Sequence, residues 1–136
     1  MKEFIIENLS DYKLVAEQIS KELAFPILLL RGNLGAGKTT FTANLLKILG
    51  SNDDVSSPTY AIINEYSTPK GRVSHFDLYR LNSPIEVMEI GIEDYLASSY
   101  LSIIEWPEVY LEELEGLNYH EIEINVEGEK RILSFK

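Results

Sequence analysis

The 136-residue chain contains no cysteine, which excludes disulfide frameworks, cysteine-based zinc sites and thiol nucleophiles. A reducing cytoplasm is its expected compartment. Long apolar runs are also missing. Ile27 to Leu30 falls far short of the ~20 apolar residues that a membrane helix needs. The first residues, Met1-Lys2-Glu3-Phe4, show neither a secretory h-region nor a small-residue cleavage site, so no signal peptide is expected. Positive charge is scarce: four Arg and eight Lys stand against 22 acids, for a net charge of −10. Autonomous nucleic-acid binding requires a basic face that neutralises several phosphates, and no basic cluster occurs. Any role near RNA is therefore expected to run through a partner protein. An acidic surface suits docking onto a basic partner; it also simply keeps a protein soluble. With no repeat, low-complexity segment or linker-like stretch, residues 1–136 are expected to form one domain.

The strongest positive signal is Gly32-Asn33-Leu34-Gly35-Ala36-Gly37-Lys38-Thr39-Thr40. It completes the G-x-x-x-x-G-K-[ST] pattern of a phosphate-binding loop. Its context supports it, because a strand-like run, Ile27 to Leu30, leads in and a helix-like run, Phe41 to Leu49, leads out. A glycine-rich turn onto a helix N-terminus aims successive N–H groups, and the positive end of the helix, at one point. Lys38 adds a charge for the β- and γ-phosphates, and the Thr39 hydroxyl can ligate Mg²⁺.

Further along, Phe4 to Ile6 reads as a strand. Ser10 reads as the N-cap of a helix whose apolar positions are Leu14, Val15, Ile19 and Leu23. The helix after the loop should end at Gly50. Residues 51–60 read as a loop, closing with Ser57-Pro58-Thr59-Tyr60. Ala61–Tyr66 and Arg72–Phe76 read as strands around the turn Thr68-Pro69-Lys70-Gly71. Ser83-Pro84 marks a helix start, and Leu101–Ile104 is another apolar strand. His120–Val126 and Arg131–Phe135 flank a second hairpin turn, Glu127-Gly128-Glu129-Lys130. This alternation predicts an α/β P-loop NTPase domain: a mostly parallel central sheet covered on both faces by flanking helices, with antiparallel edge strands.

Hydrolysis or transfer also needs acids that hold the metal and position the attacking group, and these belong at C-terminal strand ends. Asp77, 39 residues after Lys38, and Glu105 both have that placement. Either can bind Mg²⁺ while the other orients water. Thr59 lies where some nucleotide switches place a γ-phosphate-sensing hydroxyl, although spacing alone favours the start of a strand after the Pro58 turn. His75 reads as a satisfied structural histidine. Trp106 reads equally as core or as contact surface. No [NT]-K-x-D sequence occurs, which disfavours a GTPase, and four scattered Arg offer little for a kinase lid.

Four segments in order, namely the loop, Ser57-Pro58-Thr59-Tyr60, His75-Phe76-Asp77-Leu78-Tyr79-Arg80 and Glu105-Trp106-Pro107-Glu108, closely resemble the bacterial TsaE (YjeE) family. This is the ATPase component of tRNA threonylcarbamoyladenosine (t6A) biosynthesis. The resemblance covers roughly residues 26–108. It implies a Mg²⁺-dependent ATPase, weak alone, that binds ATP through Gly32, Asn33, Leu34, Gly35, Ala36, Gly37, Lys38, Thr39 and Thr40. Thr39 and Glu105 would be the Mg²⁺ ligands, and Lys38, Asp77 and Glu105 would serve catalysis. Thr59 would belong to a switch-like loop, Trp106 would lie near the nucleotide and the partner surface, and Ser10 near the adenine. Asn33 departs from the family's usual Asp or Glu, removing a negative charge beside the phosphates. The implied partners are a threonylcarbamoyl-transferase subunit and its inactive paralogue, a heterodimer that modifies adenosine 37 of tRNAs reading ANN codons. A small-molecule kinase, or a nucleotide-sensing interaction module without useful turnover, remains open as an alternative.

Overall fold

A computed structural model describes residues 1–55 and 62–136. Its strands are β1 (Lys2–Ile6), β2 (Ile27–Arg31), β3 (Ile63–Thr68), β4 (Gly71–Asp77), β5 (Leu101–Glu105), β6 (His120–Glu127) and β7 (Lys130–Phe135). Its helices are α1 (Leu9–Glu22), α2 (Lys38–Ile48), α3 (Pro84–Glu89) and α4 (Ile92–Ser98), joined by a 3₁₀ segment, Pro107–Leu114. The strands form one sheet in the order β1-β7-β6-β2-β5-β4-β3. The four central strands, β6-β2-β5-β4, run parallel. The β1–β7, β6–β7 and β3–β4 pairs are antiparallel.

Burial explains which strands sit at the centre. All of β5, and Ile27 to Leu30 of β2, are buried, as expected where helices cover both faces of parallel strands. One core, with Leu28, Leu30, Ile103 and Ile122 from the sheet, packs against Val15, Ile19, Phe41 and Leu45 of α1 and α2. The other joins Ile27, Leu29, Phe76 and Ile104 to Val87, Ile92, Tyr110 and Leu114. Toward the antiparallel edge formed by β7 and β1, one face of the sheet becomes polar. In β6, buried His120, Ile122 and Ile124 alternate with Glu121, Glu123 and Asn125, of which Glu123 and Asn125 are exposed. That period-2 pattern turns a largely polar face of β6 outward.

Several boundaries also differ. Asn8, not Ser10, caps α1. Its side chain accepts the Asp11 N–H at 3.1 Å, and the Asp11 carboxylate accepts the Asn8 N–H at 3.3 Å. An extended Asn with an acid three residues on forms this reciprocal box; Ser10 sits in the first turn and donates to Asn8 Oδ1 at 2.6 Å. Helix α2 begins at Lys38, three residues ahead of Phe41. Helix α4 and the 3₁₀ segment are additions, too short for apolar periodicity to announce. The strand expected from Ala61 is seen from Ile63, and residues 56–61 lie outside the described set. Among the described residues, no helix is long and apolar enough to cross a membrane.

Candidate nucleotide site

β2 lies at the middle of the parallel strands, so the loop at its C-terminal end opens between neighbours on both sides. Residues 32–37 carry the chain from β2 to α2. Helix α2 has no side-chain cap and no acid in its first turn, in contrast to the boxed N-terminus of α1. Its first N–H groups are thus left for an external anion. The Ala36 carbonyl accepts from Arg131 Nε at 3.1 Å. In a trans peptide this aims the Gly37 N–H the opposite way.

Gly37 shows why the loop needs its glycines. Its φ is +111°, and a Cβ there would lie 2.0 Å from the Tyr12 hydroxyl oxygen. Gly32, at φ +151°, would put a Cβ 2.8 Å from the Ile124 carbonyl. Tyr12 is buried against the loop; burial pushes its phenol up, with the Arg131 charge opposing. Gly37→Ala is expected to cost ~1–3 kcal/mol in backbone strain alone, weakening nucleotide affinity by roughly 5–150-fold. Adding Tyr12→Phe should restore part of the loss in thermal melts and nucleotide titrations, because it deletes the atom that clashes.

Lys38, Asp77 and Glu105 come from different elements and meet in one cleft of 270 Å³, lined also by Leu34, Gly35, Gly37, Thr39, Thr40 and Trp106. The volume lies below the ~300–1,000 Å³ of drug-sized ligand pockets, and suits the phosphate end of a nucleotide. Asp77 and Glu105 are register partners across parallel strands β4 and β5, which brings both acids to the same sheet end. Glu105 is buried: Oε1 lies 3.5 Å from Lys38 Nζ, and Oε2 bonds His75 Nε2. Asp77 is half-buried, and its Oδ1 accepts the Tyr79 N–H at 3.0 Å. Desolvation pushes its carboxyl above the usual range, the Tyr79 N–H opposes this, and the Glu105 charge adds to the rise.

Trp106 is partly buried and lines the cleft. Lys38 Nζ sits 4.4 Å from its ring centroid, and the Tyr79 ring packs 4.9 Å away. Its backbone, at φ +53°, is the one non-glycine positive φ among the described residues. Gly32, Asn33 and Trp106 also line a second cleft of 250 Å³ with Arg31, Glu108, Glu123 and Asn125. Ser10 lines neither cleft, and Thr59 lies outside the described residues.

The donor set fits Mg²⁺. The hydroxyl of Thr39 and the carboxylates of Asp77 and Glu105 border one cleft, and Mg²⁺ in nucleotide sites takes one or two protein oxygens besides phosphate and water. Sequence reasoning overlooked Tyr12 and Arg131 as supports of the loop, and read His75 as structural without its contact to Glu105. Their contacts span 25 to 95 positions, and no local spacing announces those pairings.

A strand, a glycine-rich loop and an uncapped helix at the parallel centre of a mixed sheet, facing a lysine and two acids, define a nucleotide-binding P-loop fold. Bacillus subtilis YdiB, known from a crystal structure, superposes with a TM-score of 0.73 at 27% identity, covering 98% of this chain and 83% of that one. The family model for "Threonylcarbamoyl adenosine biosynthesis protein TsaE" matches residues 6–133, and the chain belongs to that family. The tRNA threonylcarbamoyladenosine biosynthesis protein TsaE of Haemophilus influenzae is 46% identical over 79 residues, covering 58% of this chain and 50% of the relative. Its namesake in Aquifex aeolicus is 39% identical over 111 residues, covering 79% and 78%. The chain thus spans about half the length of the Haemophilus relative and over three quarters of the Aquifex one.

Proposed function

We propose that this protein is a Mg²⁺-dependent ATPase that supports t6A formation at adenosine 37 of tRNAs reading ANN codons. It acts with a heterodimer of a threonylcarbamoyl-transferase subunit and its inactive paralogue. The observation that carries the reading is the meeting of Lys38, Asp77 and Glu105 in one cleft at the loop, in a chain of the TsaE family. The net charge of −10 agrees with action through protein partners rather than on RNA directly.

ATP lays its phosphates along the N–H groups of residues 32–40. Lys38 Nζ turns from Glu105 to the β- and γ-phosphates, and this frees Glu105 Oε1. Thr39 and Glu105 are the proposed Mg²⁺ ligands; when bound, the ion neutralises charge developing on the phosphoryl oxygens. Asp77 orients a water whose oxygen attacks the γ-phosphorus in line. The bond to the ADP oxygen breaks, and the water proton passes to Asp77 or to solvent. A carboxylate raised above its ordinary range accepts that proton more readily. Trp106 lines the cleft beside Lys38.

Reconstitution of tRNA modification tests this reading. Repeated rounds should need both this protein and hydrolysable ATP. Equal modification with a non-hydrolysable analogue would replace it with a nucleotide-sensing module. A phosphorylated acceptor would identify a small-molecule kinase.

A further inference from the structure

We propose that His75 is a positioning residue for Glu105, fixing which carboxylate oxygen is offered to the metal. The inference rests on the reading of Glu105 as a Mg²⁺ ligand. His75 is fully buried on β4, two residues before Asp77. It points into the α1/α2 side of the sheet, near the Tyr66 ring at 6.4 Å. Strands β4 and β5 are in parallel register with His75 opposite Ile103, so the imidazole reaches forward to the acid two residues beyond its own partner.

The two ring nitrogens have different surroundings. Nε2 contacts Glu105 Oε2, whereas the buried Nδ1 has no hydrogen-bond partner among the described residues. An unpaired buried N–H is costlier than an unpaired lone pair on an under-used acceptor. That assigns the ring proton to Nε2, where it is donated to the carboxylate. Glu105 then has one oxygen tied from behind by an imidazole that solvent does not reach. Its other oxygen, Oε1, faces Lys38. When Lys38 moves to phosphate, Oε1 alone is released and the carboxylate keeps its orientation. His75 is thus not a ligand but the support behind one, and such outer partners typically carry 10–100-fold in metal affinity.

The test uses His75→Leu, which deletes the donor, and His75→Gln, whose amide N–H replaces Nε2–H. The readout is Mn²⁺ affinity of the protein–ADP complex, followed by electron paramagnetic resonance. ADP affinity in EDTA and a thermal melt serve as controls. His75→Leu should weaken Mn²⁺ binding about 10–100-fold with metal-free ADP affinity unchanged, and His75→Gln should recover most of the loss. Mn²⁺ affinity within twofold of wild type in His75→Leu would overturn the proposal. So would equal losses in both variants, or loss of metal-free ADP binding in both, which would mark a purely structural role. If wild type binds Mn²⁺–ADP with this His75 dependence yet hydrolyses no ATP, the ATPase reading fails and the positioning role stands. Normal hydrolysis with no His75 effect on Mn²⁺ gives the reverse.

Discussion

Lys38→Ala is expected to lower ATP turnover at least about 100-fold, the loss typical when a preorganised group is removed from a developing anion. Nucleotide affinity should fall with it. Among the described residues lining the cleft, Lys38 is the one cation, so none of them can take over its charge. It is also 6% exposed, held between the Glu105 carboxylate and the Trp106 ring. That placement matters twice. Without the ammonium, Glu105 loses the opposite charge beside Oε1 and presents a bare carboxylate to incoming phosphates. Calorimetric titration with ADP, together with phosphate release from ATP, checks the result. Undiminished binding by the pure variant would remove the cleft from consideration.

Asp77→Asn should leave nucleotide binding within a few-fold of wild type and lower the hydrolysis rate by roughly 10²–10⁴, the range for a positioned general base. Asparagine keeps an oxygen that can accept the Tyr79 N–H, so the local turn should survive. The variant should also be more stable at neutral pH. Desolvation, with the nearby Glu105 charge as a further push, outweighs the Tyr79 N–H and the Lys38 charge and raises the Asp77 carboxyl in the folded state. A folded state that holds a proton more tightly than the unfolded chain loses stability as pH rises from the ordinary carboxylate value through the raised one. Ionised Asp77 therefore costs stability at pH 7, and the neutral amide does not. The melting temperature of Asp77→Asn should meet that of wild type near pH 3. It should exceed it by a growing margin on the way to neutrality, then level off. A flat difference across that range would contradict the cause assigned to the shift.

The loop, β2 and the acid at the end of β5 were legible because each is contiguous: a motif, an apolar run, a charge that ends it. Register was not. That Asp77 and Glu105 stand side by side follows from how β4 pairs with β5, and a run of letters carries no such offset. The same applies to His75 behind Glu105 and to Arg131 holding the Ala36 carbonyl. Tyr12 beneath Gly37 depends on how α1 packs across the loop. The N-cap was misplaced by two residues because Ser10 and Asn8 are both good cap residues. The capping box with Asp11 settles it for Asn8.

The position of β2 has a consequence for how the chain comes together. Its partners, β5 and β6, begin at Leu101 and His120, while β1 pairs only with β7, at the far end of the described chain. During synthesis, the first hundred residues can form the α1–α2 contacts and the β3–β4 hairpin. Among the described strands they hold nothing that pairs with Ile27–Arg31. The most apolar strand waits unpaired until Leu101 and the residues after it emerge, and long-range parallel pairing of this kind is slow. The phosphate cradle, early in the sequence, is therefore among the last parts to acquire its shape.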